Sequence, residues 1–341
     1  MKDLLTDANF PRTADQRVYH LGVRPGEVAN RIVTVGSPSR ANTIASFLDA
    51  QPKPFVLNSE RGFLTITGRY KGTPISIVSI GMGNPNMDFF VREIKETVTG
   101  DLAIVRLGSC GALIDVPPAT VVVPKASVAI TRNFDFDFAS PENSDEAAYK
   151  ISKPVSADDE LTAEVIKALQ AGKPSGSASA IITGTVNASA DSFYSSQGRQ
   201  TSFPDHNSHL IEHLQEKVEN LATLEMETFH LFHLAACWVG RTVFSQVGST
   251  PLTTGPVIPV IESSSPTQHL RSAPPPLPNS VIRAAATHMV FASRKSKDFI
   301  NPQQVEEVEN WTAQGILNAL FNIQIPEDRL HASEGSVWEL V

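Results

Sequence analysis

A guanidinium set into an apolar strand limits what a chain can fold into more than any bulk property does. Leu102-Ala103-Ile104-Val105 reads as a buried strand, and Arg106 follows it into a turn of small residues, Gly108-Ser109-Cys110-Gly111. An arginine inside such a strand is costly unless an anion meets it. The glycines let a backbone come close to a ligand, and Ser109 adds a hydroxyl. The carboxyl end of a strand is also where an α/β sheet takes its ligands. Alone, the segment equally fits a tight turn with a surface arginine.

An earlier segment has the same character. Arg31-Ile32-Val33-Thr34-Val35 is a β-branched run that breaks at Gly36-Ser37-Pro38-Ser39-Arg40. Ser37 is suited to cap a helix with Pro38 in its first position. The spacing of Ile44, Phe47 and Leu48 continues that helix. A strand, a glycine, a helix amino terminus and an arginine together suit a phosphate. A helix start with Arg40 in solvent is the plainer alternative.

Further along, Phe63 to Ile80 alternates around the turn Lys71-Gly72-Thr73 and predicts a hairpin. Gly81 to Asn86 reads as a polar loop, and Met87 to Val98 as a helix. Strands are expected at Ala119–Ile130 and Ala178–Val186, with an exposed loop over 139–157 between them. A helix from Asp158 to Ala171 closes at Gly172. Thr242 to Val247 reads as the last strand. Residues 250–278, punctuated by prolines from Pro251 to Pro278, read as a long loop or lid. Two helices, about 279–294 and 303–321, are expected to close the core.

Two segments offer organic recognition. Gln197 and Arg199, two apart, point to the same side of an extended segment. An amide and a guanidinium together can read the polar edge of a pyrimidine, with Phe193 stacked on its face. A Ser-rich loop is the alternative. In Glu225-Met226-Glu227 a carboxylate suits a ribose diol, since it accepts from two hydroxyls. Helix amino-terminal charge is the alternative there.

A net charge of -8 over 341 residues argues against a broad nucleic-acid or membrane surface and leaves room for a local cationic pocket. Residues 1–17 are a polar arm without the apolar core of a signal peptide, and no apolar run reaches ~18 residues. Two cysteines, Cys110 and Cys237, make no disulfide framework, so a reducing cytoplasm fits. His206-x-x-His209 and His230-x-x-His233 lack an evident third ligand and read as solvated helix histidines, so no metal is expected. Cys110 has no visible base, which favours a packing or hydroxyl-substitute role over a nucleophile.

Taken in order, Tyr19-His20-Leu21-Gly22, Gly36-Ser37-Pro38-Ser39-Arg40, Arg106 to Gly111, Asp191 to Tyr194 with Gln197-Gly198-Arg199, and Glu225-Met226-Glu227 resemble the uridine phosphorylase branch of the nucleoside phosphorylase-I family. The resemblance runs from about residue 18 to 247 and continues more weakly to 321. It implies a single α/β domain of three layers, with a central mixed, partly barrel-like sheet flanked by helices. It sets that catalytic domain at 18–325, after the arm 1–17 and before a C-terminal tail 326–341.

The implied activity is reversible phosphorolysis of uridine to uracil and ribose 1-phosphate. By position, Gly36, Arg40, Arg61, Arg106 and Ser109 resemble the phosphate site. His20, Met226 and Glu227 resemble the ribose contacts, and Cys110, Gly111, Phe193, Gln197 and Arg199 the base contacts. Arg106, Glu227 and Arg199 would carry catalysis. No cofactor or metal is implied, because phosphate is a co-substrate. Nucleoside and phosphate are the partners, with neither nucleic acid nor membrane. The resemblance further implies a homodimer, or a hexamer as a trimer of dimers, in which His20 and Arg61 complete a neighbour's site. A broader nucleoside phosphorylase, a water-using nucleosidase and a silent nucleoside-binding homologue are the competing readings. Three arginines for one anion argue against the nucleosidase.

The sequence departs from the family in three places. Relatives commonly carry a base-side arginine after the last strand, whereas Val247 is followed by Gly248-Ser249-Thr250-Pro251. No aspartate of the purine-cleaving kind stands there either. Gly62 occupies the place of a glutamate that helps some bacterial relatives bind a monovalent cation. The Pro-rich loop is also longer than expected.

Overall fold

The computed structural model describes residues 4–177, 179–238, 277 and 279–340. Two short strands, β1 (Leu5–Thr6) and β2 (Arg12–Thr13), pair in the amino-terminal arm. The first half of the central sheet is β3 (Arg31–Val35), β4 (Phe55–Asn58), β5 (Leu64–Tyr70) and β6 (Thr73–Ser79). The second half is β7 (Leu102–Ala112), β8 (Val121–Arg132), β9 (Tyr149–Ile151), β10 (Val155–Ser156), β11 (Ile181–Ala190), β12 (Leu221–Glu225) and β13 (Ile282–Ser293). The helices are α1 (Pro38–Ala45), α2 (Asn84–Lys95), α3 (Asp159–Ala171), α4 (Leu210–Lys217), α5 (Thr228–Cys237) and α6 (Pro302–Asn322).

The sheet runs β4-β5-β6-β3-β7-β12-β11-β8, and β13 pairs with both β7 and β8. Strands β7, β12, β11, β8 and β13 therefore close into a ring, while β3 to β6 extend from it as an open sheet. Parallel pairs (β3 with β6 and β7) and antiparallel pairs (β5 with β6) coexist. This is the mixed, partly barrel-like sheet that the family resemblance implied.

Helices cover both faces because the strands alternate. Ala103, Val105 and Leu107 of β7 pack with Ile44, Leu161, Val165, Leu317 and Leu320 from α1, α3 and α6. Leu102 and Ile104 pack with Phe90, Ile94, Leu231 and Phe232 from α2 and α5. Burying each such side chain contributes ~1.5–3 kcal/mol. Arg106 falls in the even-numbered set, so the period of two delivers it to the α5 side.

Two expectations are corrected. Residues 279–294 form no helix; they carry β13. Ala284-Ala285-Ala286 has high helix propensity, but the backbone pairs with β7 from Ile282–Leu102 to Ser293–Ala112 and with β8 at His288–Val122. Ring closure outweighs propensity. The 139–157 loop also contains β9 and β10, which fill hydrogen-bonding positions beside β8. The strand expected at Thr242–Val247 lies outside the described residues, as does the 250–278 loop apart from Leu277.

Other boundaries follow their caps. The Asp158 carboxylate accepts from the Leu161 N–H at 2.8 Å, and Asn301 with Gln304 forms a capping box on α6. The last residues run back along the body, with Trp338 buried and the Val337 N–H donating to the Gly26 carbonyl at 2.9 Å. Among the described residues no helix is long and apolar enough to cross a membrane.

Candidate functional site

Strands β3 and β7 are parallel neighbours in register, Thr34 beside Arg106 and Val35 beside Leu107. β3 ends there, whereas β7 runs on to Ala112, so Gly108-Ser109-Cys110-Gly111 continue the strand rather than form the expected turn and lie beside the space that the β3–α1 junction faces. The start of α5 and the turn at Ser195–Gln197 enclose it as a cavity of about 210 Å3. Gly36, Arg40, Arg106 and Ser109 line this cavity. So do Met226 and Glu227, and so do Cys110, Gly111, Phe193, Gln197 and Arg199. His20 and Arg61 do not.

At one end, the Ser37 hydroxyl caps α1 by accepting from the Arg40 N–H at 3.3 Å. A Cβ on Gly36 would stand 3.4 Å from the Gly81 carbonyl oxygen, so a side chain there would narrow the corner. Arg40 is buried, and its Nε donates to Glu309 Oε1 on α6 at 2.7 Å. The face of its guanidinium lies 5.6 Å from the Phe291 ring centre. Burial lowers the Arg40 pKa, Glu309 opposes the shift, and nearby Arg106 adds to it.

Arg106 holds two carboxylates. Its Nη2 donates to Glu227 Oε2, and its Nε lies 3.5 Å from Glu225 Oε2. Its buried Nη1 has no hydrogen-bond partner among the described residues. A buried donor of that kind calls for an acceptor, which an oxyanion supplies.

The two acids differ. Glu225 accepts from Asn187 Nδ2 at 2.8 Å, from the Ser189 hydroxyl, and from the backbone N–H groups of Glu227 and Thr228 at 2.9 and 3.0 Å. Burial would raise its pKa, but positive charge on His288, the Arg106 guanidinium and these hydrogen bonds win and bring it to about 2. His288 is itself driven down to about 4 by burial, so at neutral pH the arginine and the hydrogen bonds do the holding. Glu227 has fewer donors, chiefly Arg106 and the Gly83 N–H at 2.6 Å. Burial, with Glu225 beside it, leaves its pKa raised. Glu225 thus anchors α5 and Arg106. The sequence assigned it no separate role, although the motif contains it.

At the other end the segment is not extended as expected: Ser195–Gln197 form a helical turn, Gly198 takes the left-handed conformation (φ 63°), and this turn rather than a strand's period of two brings Gln197 and Arg199 together. Arg199 Nη1 donates to the Phe193 carbonyl at 2.8 Å and to Gln197 Oε1. Its guanidinium also lies 3.9 Å from the Phe193 ring centre. The turn is tied from outside: Tyr149 donates to the Asp205 carbonyl and meets the Ser195 hydroxyl, both at 2.7 Å. Asn207 Nδ2 donates to the Ser195 carbonyl at 2.7 Å. Burial, with Arg294 nearby, lowers Arg199 to about 10, still protonated at neutral pH.

Gly248-Ser249-Thr250-Pro251, where relatives commonly carry a base-side arginine, lie outside the described residues, but an arginine from another strand approaches Gln197. The ring's closing strand is β13, and the residue after it is Arg294, whose Nη1 donates to the Gln197 carbonyl at 3.1 Å. Its stem passes over Gly111. Reading 279–294 as a helix hid the strand end that would have marked it.

His20 and Arg61 lie together elsewhere. His20 Nδ1 is 2.6 Å from Glu93 Oε1, and the N–H groups of His20 and Leu21 donate to the same carboxylate at 3.0 and 2.8 Å. Its ring stacks on Phe89 at 3.8 Å. The exposed Arg61 donates to the Tyr19 hydroxyl and lies over that ring at 4.8 Å. Of the other histidines, His230 Nε2 is 3.1 Å from Asp88 Oδ1, and His233 stacks on Phe229. Burial raises the Cys110 thiol pKa well above its ordinary value, which suits a packing role.

A model described as the phosphorylase superfamily matches residues 30–238. The chain is similar to a uridine phosphorylase of Thermococcus kodakarensis, 28% identical over 239 residues, 69% of this chain and 78% of that protein. It is likewise similar to a DeoD-type purine nucleoside phosphorylase of Roseobacter denitrificans, 28% identical over 242 residues, 70% of this chain and 90% of that one. A solved structure from work on two diverse uridine phosphorylases in the oomycete Phytophthora capsici matches with a TM-score of 0.77 and 34% identity, covering 94% of this chain and 100% of that chain.

Proposed function

The chain belongs to the phosphorylase superfamily, in its uridine phosphorylase branch, and from that membership we propose that it cleaves uridine with phosphate to uracil and ribose 1-phosphate. It is a pentosyltransferase with nucleoside phosphorylase activity; uridine as the substrate, and a place in cytoplasmic pyrimidine salvage, are our reading.

Phosphate takes the corner of Gly36, Arg40, Arg106 and Ser109. Glu227 accepts from the ribose hydroxyls as phosphate takes over Arg106. A phosphate oxygen bonds to C1′ while the C1′–N1 bond breaks, and the electron pair leaves on the uracil ring. Arg199 and Gln197 donate to the uracil carbonyls, where that charge spreads; one such donor is commonly worth a factor of ~100. The phosphate dianion and Glu227 meet the positive charge that builds on the ribose. Holding both reactants in one cavity supplies the remaining advantage. Phosphate is consumed as co-substrate, and no step needs a metal or organic cofactor. His20 and Arg61 serve the site of a neighbouring subunit in a dimer or trimer of dimers.

The observation that carries this reading is the Arg106 Nη1, without a hydrogen-bond partner among the described residues, beside Arg40 in a cavity whose far end holds the Gln197–Arg199 pair. The test is an assay of uridine, thymidine and inosine with and without phosphate. Uracil release that requires phosphate, with inosine inert, is expected. Release without phosphate, or preference for inosine, refutes it.

A further inference from the structure

Arg40 reaches the cavity from α1, yet its one side-chain hydrogen bond among the described residues comes from a helix 269 positions away in sequence. Glu309 Oε1 accepts from Nε at 2.7 Å, and both side chains are largely buried. The bond is charge-assisted and short. It engages Nε alone: neither Nη group has a hydrogen-bond partner among the described residues, and Arg40 lines the cavity. Phe291 covers one face of the same group.

A carboxylate beside a phosphate site weakens anion binding unless its charge is committed to another group. Here it is committed, and it offsets the repulsion between Arg40 and Arg106 before phosphate arrives. Its carrier is rigid: α6 packs on α3, and the Trp311 indole N–H donates to the Leu169 carbonyl at 3.0 Å. A buried ion pair is weak support for stability in itself, so its geometry asks for another role.

We propose that Glu309 is a positioning residue for the phosphate site, fixing Arg40 through Nε so that its two Nη groups are presented to the phosphate oxygens. This rests on the reading of Arg40 as a phosphate ligand.

The test is steady-state kinetics with phosphate varied at saturating uridine. Glu309→Ala is expected to raise the phosphate KM about tenfold while kcat stays within about twofold and the uridine KM is unchanged. Glu309→Gln keeps an acceptor for Nε and is expected to stay within about threefold of the native enzyme. In an Arg40→Ala background, adding Glu309→Ala is expected to change nothing further, as a double-mutant cycle requires of residues acting in series. An unchanged phosphate KM in Glu309→Ala overturns the proposal. So does an equal further loss in the Arg40→Ala background, or a parallel rise in the uridine KM, because a general structural defect would do both. If Arg40→Ala alone leaves the phosphate KM unchanged, the phosphate assignment falls and takes the proposal with it. If Arg40→Ala raises it and Glu309→Ala does not, only the positioning role falls.

Discussion

At the residue scale, the site turns on one guanidinium shared by two acids of unequal character. Removing it does two things. Arg106→Ala should cut phosphorolysis by ~100-fold or more. It should also leave Glu225 and Glu227 buried without their cation, destabilising the fold by about 3–5 kcal/mol. Thermal unfolding measures the second effect, and adding Glu227→Gln should restore part of it, because one uncompensated charge disappears. Normal turnover in Arg106→Ala would remove the phosphate assignment. The base end separates cleanly from this. Gln197→Ala should raise the uridine KM about tenfold, as expected when a polar edge loses its partner, and Arg199→Ala should in addition lower kcat by ~100-fold, because it removes a donor to the departing uracil anion. The phosphate KM should not move. Equal uridine affinity in both variants and the native enzyme would end the base-edge reading.

At the scale of elements, Gly198 shows how a turn sets that base edge. Its φ is 63°, and an added Cβ would stand 3.0 Å from Ile211 Cγ1. Gly198→Ala should therefore cost about 1–2 kcal/mol and move Gln197 and Arg199 together, raising the uridine KM. Unfolding and kinetics with no change in either would show that the turn tolerates a side chain. Such elements were legible where local pattern and tertiary demand agreed. The β3–α1 junction could be read because Gly36, Ser37 and Pro38 are all local signals. The β5–β6 hairpin could be read from its period of two. β13 could not, because its alanines favour helix locally and only pairing with β7 and β8 makes it a strand. That one misreading also concealed Arg294. The partners Glu93 and Glu309 were invisible for another reason: they lie 73 and 269 positions from the residues they hold, and no local pattern links them.

At the scale of the whole molecule, the closed ring has a polar interior that ties stability to pH. His288 lies fully buried between the hydroxyls of Thr228, at 2.8 Å, and Thr223, at 3.3 Å. Its folded pKa of about 4 lies below its ordinary 6.5, so the unfolded chain takes up that proton first. Stability from this group is complete above pH 6.5 and falls by about 3 kcal/mol as the pH drops to 4. Glu225, lowered from 4.5 to about 2, extends the loss below pH 4.5. Urea unfolding at stepped pH should show this slope, and His288→Gln should flatten it between pH 6.5 and 4; an unaltered slope would absolve the histidine. The cavity of one chain is incomplete by itself if His20 and Arg61 belong to the site, because both lie outside the space that the other site residues line. If each subunit lends them to a partner, Arg61→Ala and Arg199→Ala impair different halves of a shared site. Co-expressed in equal amounts, half of the dimers are mixed, and each mixed dimer has one site carrying both lesions and one carrying neither. Activity should then recover to about a quarter of native, well above either variant alone. Co-expressed protein no more active than the two variants assayed separately and averaged would mean that each chain works with its own His20 and Arg61, and the shared-site arrangement would have to be abandoned.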